Sequence, residues 1–355
     1  MLRDIAAQGS PSQSKAAVGE PSRTAIRYEV AGRVYQADIY RSRAQTQAGI
    51  LLVPGAAELG KDDPRLVAFA QVLARAQFAV LVPDFADMRQ YNLGLENTRE
   101  VADAFAYLAA SPDLAPQGRV GGAATSYAVG PLILAALEPG LRDKIQFIVG
   151  VGGYYDLEKV VAFFTTGYFR DYTREGSPWQ HREPNAYGKW VFALSNAGRL
   201  SNPADRETLR TIARSKMERP DAPMESLAAK LGPEGRAYYD LLTNKDPKRV
   251  PELLANLPAG IKAQFDAINL ARQDLSQLKA RLILFHGYDD DIVPYTESIA
   301  LANALPKGQA HLFLVHGLAH VNLRKIGVKD RLRLWRGMGE LLNERTRKPS
   351  AGPPS

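Results

Sequence analysis

Residues 119–137, RVGGAATSYAVGPLILAAL, pass from a run of small apolar residues through a turn at Ser126 into a segment with helical spacing. A short apolar run of this kind is typical of a buried strand, and the segment after the turn predicts a buried helix. A serine at a sharp strand-to-helix turn holds its hydroxyl exposed at the edge of a sheet. Ser126 is therefore a candidate nucleophile. The competing interpretation is a small residue that fills a tight turn for steric reasons.

Strand-like and helix-like segments alternate on both sides of this stretch. Upstream, GILLVPG at 49–55 and FAVLVPDF at 78–85 have the pattern of buried strands, and PRLVAFAQVLARAQ at 64–77 has helical spacing. Downstream, IQFIVGVGG at 145–153 and ARLILFHG at 280–287 again predict strands. Because continuous apolar strands separated by helices are typical of a parallel sheet covered on both faces, the sequence predicts an α/β fold.

The alternation stops after Asp156 and resumes near residue 280. The roughly 120 residues between these points have helical patterns interrupted by prolines, and they are too many for a plain loop. We therefore predict an inserted, mostly helical segment. The predicted organisation is a flexible leader at 1–23, a first core part at 24–156, the helical insertion at 157–279, a second core part at 280–346 and a disordered tail at 347–355.

The composition is that of a globular protein, with 45% hydrophobic and 23% charged residues. The net charge of +7 does not by itself predict nucleic-acid binding, because 45 basic residues are interleaved with 38 acidic ones. The absence of cysteine excludes disulfides, thiolate metal sites and a cysteine nucleophile.

No apolar run could span a bilayer. As written, the chain is expected to be cytoplasmic. Export stays open, since a removed signal would leave the same sequence, and the oligomeric state is not predicted.

Three residue types of complementary chemistry follow three separate predicted strands. Ser126 follows VGGAAT, the aspartates at 289–291 follow LILFHGY, and His320 follows LFLVHGLA. The carboxyl ends of parallel strands meet at one edge of a sheet, so these side chains are expected to lie together. A serine hydroxyl needs a histidine to take its proton, and that histidine needs a carboxylate to orient it. The chain order Ser, Asp, His predicts a catalytic triad.

At these residues the sequence resembles the α/β-hydrolase superfamily, from about Thr24 to the last helix. HGYDDDIVP is similar to the family's acid loop and selects Asp290 among the aspartates, and GLAH is similar to its histidine loop and selects His320. VPGAA stands where the family has its oxyanion loop. The resemblance implies that the backbone amides of Ala56 and Tyr127 form the oxyanion hole.

The turn itself departs from the family pattern, because ATSYA replaces the usual Gly-x-Ser-x-Gly. Glycines at these places let a strand and a helix pack closely, and the methyl groups of Ala124 and Ala128 are the smallest possible additions. Two other groups stay open as candidates. Asp156 lies where some members of the superfamily keep their acid, and His286 lies at the end of the acid-bearing strand.

The insertion stands where the superfamily carries its lids, and its first half is rich in aromatic residues. A lid over a serine site must present apolar surface to the substrate, which favours an acyl or aryl ester of moderate size. The predicted substrate-binding residues are Tyr155, Phe164, Trp179 and Trp190. No metal-ligand spacing and no phosphate-binding loop is present, so neither a metal nor a cofactor is predicted.

The predicted function is a metal-independent serine hydrolase that cleaves carboxylic esters of small molecules. A peptidase or amidase and a thioesterase are alternatives, because one triad serves all three bonds. An alternative of another class is a binding protein that retains the fold without activity, since fold alone does not determine function.

Overall fold

The computed structural model describes residues 19–320, 322–323 and 326–347. Its centre is a sheet of eight strands in the order β1-β2-β4-β3-β5-β6-β9-β10. Strand β2 pairs antiparallel with β1 and β4, and the remaining pairs are parallel. The strands span Ser22–Val30 (β1), Arg33–Arg41 (β2), Ala48–Val53 (β3), Phe78–Pro83 (β4), Val120–Thr125 (β5), Ile145–Val151 (β6), Arg281–Gly287 (β9) and Ala310–Val315 (β10).

Helices cover both faces of this sheet, as the predicted α/β fold requires. One face buries its apolar side chains against α1 and the last helix, α13, and the other packs against α3 and α4. The core helices span Pro64–Arg75 (α1), Ala86–Arg89 (α2), Leu95–Ala109 (α3), Val129–Leu137 (α4), Thr296–Asn303 (α12) and Val328–Glu344 (α13). Burial on both faces explains why strands such as β3 and β4 are apolar throughout.

The chain between β6 and β9 is mostly helical and packs over the face that carries α3 and α4. Its helices span Leu157–Thr166 (α5), Ala186–Ala197 (α6), Pro203–Glu218 (α7), Glu225–Ala228 (α8), Pro233–Thr243 (α9), Val250–Ala255 (α10) and Ala259–Ile268 (α11). A short antiparallel pair, Tyr168–Phe169 (β7) with Gln180–His181 (β8), lies between α5 and α6. A second short pair, Leu318–Ala319 (β11) with Asn322–Leu323 (β12), follows β10.

The structure describes only part of the predicted leader and of the predicted tail. Strand β1 begins at Ser22, just before the predicted start of the core at residue 24, and α13 ends at Glu344. The rest of the predicted leader, residues 1–18, and residues 348–355 of the predicted tail lie outside the described residues. Among the described residues, no helix combines the length and the apolar character that crossing a membrane requires.

Candidate active site

Ser126 lies in the turn between β5 and α4. The strand ends at Thr125, residues 126–128 form one 3₁₀ turn, and α4 begins at Val129. Ser126 has a φ of 55°, a left-handed conformation that non-glycine residues adopt rarely and that is concentrated at functional sites. Its side chain is half-buried, and its hydroxyl makes no hydrogen bond to another described residue. The turn thus gives Ser126 a strained backbone and leaves its side chain partly accessible.

The two alanines that flank the turn, Ala124 and Ala128, belong to the buried apolar core. Ala124 and Ala128 are both buried, with 1% and 0% of their surface exposed. In the pairing of β5 with β6, the residue opposite Ala124 is Gly150, which has no side chain to compete for the space. The replacement of glycine by alanine therefore leaves the strand-turn-helix geometry intact.

Asp290 is fully buried in the loop after β9, where both of its carboxylate oxygens are engaged. Oδ1 accepts hydrogen bonds from the backbone N–H groups of Ile292 and Val293, both at 2.9 Å. Oδ2 lies 2.9 Å from Nδ1 of His320. Burial tends to raise the pKa of Asp290, but the charges and hydrogen bonds of His320 and His286 outweigh it and hold the pKa well below its usual range. The carboxylate is therefore ionised and aimed at His320.

His286 contacts the same carboxylate oxygen from within β9. Its Nε2 lies 3.3 Å from Oδ2 of Asp290 and 3.0 Å from the carbonyl oxygen of Val293, and its Nδ1 lies 2.7 Å from the Ser298 hydroxyl. Both neighbours of Nε2 are acceptors, so Nε2 carries a proton, and Nδ1 forms a hydrogen bond with the Ser298 hydroxyl. By its place in the sequence, His286 is a separate catalytic candidate. The structure makes it a buried support for Asp290.

Replacement of His286 tests this support. His286→Phe should shift the acid limb of the kcat/KM profile upward by about one pH unit, because the lost hydrogen bond leaves more negative charge on the oxygen that faces His320. His286→Gln can still donate from the position of Nε2 and should restore most of the original profile. A profile unchanged in both variants, with only thermal stability reduced, would assign His286 to packing alone.

Ser126 and the Asp290–His320 pair both lie near Gly152, the residue that follows β6. Thr125 pairs with Val151, so Ser126 and Gly152 each stand one residue beyond that pair on adjacent strands. A Cβ atom added to Gly152 would lie 3.3 Å from Oδ2 of Asp290 and 3.4 Å from Nδ1 of His320. Adjacent strands lie about 4.8 Å apart, so the serine and the histidine ring share one end of the sheet. No hydrogen bond joins Ser126 to His320 among the described residues.

The loop that carries Ala56, one of the two predicted oxyanion residues, lies against the Ser126 turn. A Cβ atom added to Gly55 would lie 3.6 Å from Cβ of Ser126, which brings the loop carrying Ala56 against the turn. Tyr127 is the second residue of the 3₁₀ turn, where a backbone N–H has no carbonyl partner within the turn. Exposed N–H groups at such a helix start favour a negative charge.

The inserted segment contacts this region through Tyr187, near the start of α6. The Tyr187 hydroxyl donates to the carbonyl oxygen of Ala56 and lies 3.2 Å from the hydroxyl of Tyr91, which also has a left-handed φ of 60°. A cavity of about 760 Å³ opens beside Tyr91, between the α2 region and α7. It is lined by Glu58, Ala86, Arg89, Gln90, Tyr91, Asn92, Leu194, Glu207, Arg210, Arg214, Met217 and Glu218.

The four predicted substrate-binding aromatics occupy different environments. Phe164 and Trp190 are buried among the apolar side chains of the insertion, whereas Trp179 is 49% exposed and lies beside the Arg170 guanidinium and the Tyr172 ring. Tyr155 follows β6 and is half-buried. None of the four lines the cavity beside Tyr91.

Glu297, a residue that no sequence motif singles out, connects the helix after the Asp290 loop to the chain segment that leads into the insertion. This buried carboxylate in α12 accepts hydrogen bonds from the backbone N–H groups of Tyr155 at 3.0 Å and Asp156 at 2.7 Å. Asp156 in turn caps α5 by accepting from the N–H of Glu158 at 3.0 Å. Burial raises the pKa of Glu297 to about 8, although the two N–H groups act in the opposite direction.

The raised pKa predicts a pH-dependent stability. A carboxyl whose pKa is higher in the folded than in the unfolded state contributes stability that is complete below the unfolded value of 4.5 and is lost as pH rises through about 8. The melting temperature should therefore fall between about pH 4.5 and about pH 8, and Glu297→Gln, which resembles the protonated form, should reduce that fall. Glu158→Gln is the control. An equal fall in wild type and Glu297→Gln would contradict this prediction.

The alternative acids have structural contacts of their own. Besides capping α5, Asp156 lies 3.9 Å from the Lys159 ammonium. Asp289 accepts from the N–H of Gly317 at 3.1 Å and so holds the loop that leads to His320. In the described part of the chain, His, Asp and Glu side chains form no group of three or more that could hold a metal ion.

Comparison with known proteins shows the fold. No family model and no curated protein sequence matches this chain. Among solved structures, a provisionally assigned hydrolase from Legionella pneumophila aligns with a TM-score of 0.56 and 14% identity, over 97% of this chain and 96% of its own. A puromycin-hydrolyzing peptidase from Mycobacterium tuberculosis aligns with a TM-score of 0.53 and 13% identity, over 98% of this chain and 42% of its own.

Proposed function

The chain has the α/β-hydrolase fold, and from that premise we propose that it is a serine hydrolase that cleaves carboxylic esters. The observation that carries the proposal is the buried Asp290–His320 pair, joined at 2.9 Å, at the same end of the sheet as a serine with a left-handed backbone. Ionised carboxylate, imidazole and accessible hydroxyl are the three groups that acyl transfer by a serine requires.

In the proposed mechanism each group has one role. Asp290 accepts the N–H of His320 Nδ1, which leaves Nε2 of the imidazole free to take the Ser126 proton. The Ser126 oxygen attacks the ester carbonyl carbon, and the amides of Ala56 and Tyr127 stabilise the oxyanion. His320 then gives its proton to the departing alcohol. Water, activated by the same imidazole, releases the acid and regenerates the serine.

The inserted segment is proposed to act as a lid that completes the substrate site. The contact of Tyr187 with the Ala56 carbonyl connects α6 to the loop that holds the oxyanion. The cavity of about 760 Å³ beside Tyr91 has a volume typical of small-molecule sites, but Ser126, Asp290 and His320 do not line it.

The contact of the lid with the oxyanion loop gives a prediction. Tyr187→Phe removes a single hydroxyl and should lower kcat/KM about fivefold, the equivalent of one hydrogen bond, with little change in thermal stability. Tyr172→Phe, in the same inserted segment, is the matched control and should retain full activity. Equal activity of the two variants would contradict the prediction, because the contact of Tyr187 with the Ala56 carbonyl would then not affect catalysis.

An amidase or peptidase is the second candidate, because the fold is shared with a protein described as a puromycin-hydrolyzing peptidase. Parallel assays of p-nitrophenyl esters, the matching anilides and thioesters test both candidates. We expect ester kcat/KM to exceed that for anilides. A preference for anilides would favour the second candidate. Inactivity on every substrate, together with failure to react with a fluorophosphonate, would favour a binding protein with this fold.

A further inference from the structure

The C-terminal helix α13 carries an apolar stripe on its outer surface. Val328, Leu332 and Trp335 are 72%, 57% and 60% exposed, the largest exposures among the large apolar residues of this helix. Their spacing of four and three residues places them on one face. Gly339 continues the same stripe, and no atom lies within 4 Å of a Cβ added there. The opposite face, with Leu334, Met338 and Leu341, packs on the sheet.

Cationic side chains flank this stripe. Lys329 and Arg336 lie along one side of it and Arg331 along the other, all of them exposed. None of the three forms an ion pair with a described residue. Two acidic residues of the helix are buried, Asp330 against Arg333 and Glu344 against Arg281, and Glu340 is half-buried beside His311.

The charges decide between the surfaces that could cover this stripe. A second copy of the chain in a two-fold dimer would present the same face, so Lys329, Arg331 and Arg336 would approach their own counterparts. Like charges brought together in this way oppose association. An anionic lipid surface instead attracts all of them, and it accepts leucine and tryptophan at the depth of the headgroups.

We propose that the outer face of α13 binds the surface of a bilayer that contains anionic lipid, with the helix lying in the interface. Val328, Leu332 and Trp335 enter the headgroup region while the cations flanking them contact lipid phosphates. The inference is independent of the proposed ester hydrolysis, because it rests on the surface of α13 alone.

Vesicle binding tests the proposal on the full chain. We expect the protein to co-sediment with vesicles of equimolar phosphatidylglycerol and phosphatidylcholine, to bind phosphatidylcholine vesicles weakly, and to be released by high salt. Arg331→Gln with Arg336→Gln should weaken partitioning about 25-fold, or about fivefold for each charge removed. Leu332→Ser with Trp335→Ser should weaken it at least about tenfold. Brominated lipid should quench Trp335 fluorescence.

Matched controls lie elsewhere on the surface. Leu59, which is 58% exposed, and Arg27, on the edge strand β1, are replaced as Leu59→Ser and Arg27→Gln, and both variants should bind vesicles like wild type. Three results would overturn the proposal. One is that the wild-type protein does not bind anionic vesicles, or that the α13 variants bind them as strongly as wild type. Another is a wild-type dimer that Leu332→Ser with Trp335→Ser dissociates. The third is retention on heparin that depends on the arginines, without vesicle binding.

Discussion

Ser126→Ala is expected to lower kcat for ester hydrolysis about a millionfold, because the nucleophile and its proton are removed together and the remaining groups cannot compensate. The substitution deletes one half-buried oxygen that has no hydrogen-bond partner among the described residues, and alanine tolerates the left-handed φ about as well as serine. Thermal stability should therefore change little. Rates come from a chromogenic ester assay, and circular dichroism checks the fold.

A second serine provides the control. The Ser111 hydroxyl donates to the carbonyl oxygen of Tyr107 at 2.8 Å and lies at the end of α3. Ser111→Ala should keep full activity and lose a little stability. If Ser126→Ala kept more than a small fraction of wild-type kcat, with the fold intact, hydrolysis would have to use another nucleophile.

Asp290→Asn is expected to lower kcat about ten-thousandfold. The backbone N–H groups of Ile292 and Val293 require an acceptor, so the asparagine oxygen takes the place of Oδ1 and the amide NH₂ faces His320. A donor at that point forces His320 into the tautomer that carries its proton on Nε2, which cannot accept the serine proton. The same NH₂ also opposes the Nε2–H of His286.

Neighbouring aspartates serve as matched variants. Asp289→Asn retains an acceptor for the Gly317 N–H, and Asp156→Asn retains a good helix cap, so both should cost little activity. Steady-state kinetics on the three variants separates the roles. Asp156 would be the acid if its replacement reduced kcat more than that of Asp290.

The fold followed from local patterns. Buried strands such as β3 and β4 are continuous apolar runs, and the alternation with helices requires a parallel sheet, so the order of elements could be predicted. Asp290 and His320 could be singled out because both follow strand ends within motifs. The structure brings these two into contact, as the motifs imply.

Other features depend on contacts that no local pattern encodes. Glu297 accepts a hydrogen bond from the backbone N–H of Asp156, which lies 141 residues earlier in the chain. No residue pattern in α12 predicts a buried carboxyl group. His286 has the pattern of an ordinary strand residue, and its partner Ser298 lies in the next helix. The aromatic composition of the insertion likewise could not show that Trp190 faces inward and Trp179 outward.

We claim that Ser126 is a nucleophile activated by His320 and Asp290, and a covalent probe of activated serines is the test. The wild-type protein is treated with a fluorophosphonate, digested, and mapped by mass spectrometry. We predict a single modified peptide with the adduct on Ser126, no labelling of Ser126→Ala, and strongly slowed labelling of Asp290→Asn. An adduct on another residue, or labelling that persists in Ser126→Ala, would contradict the claim.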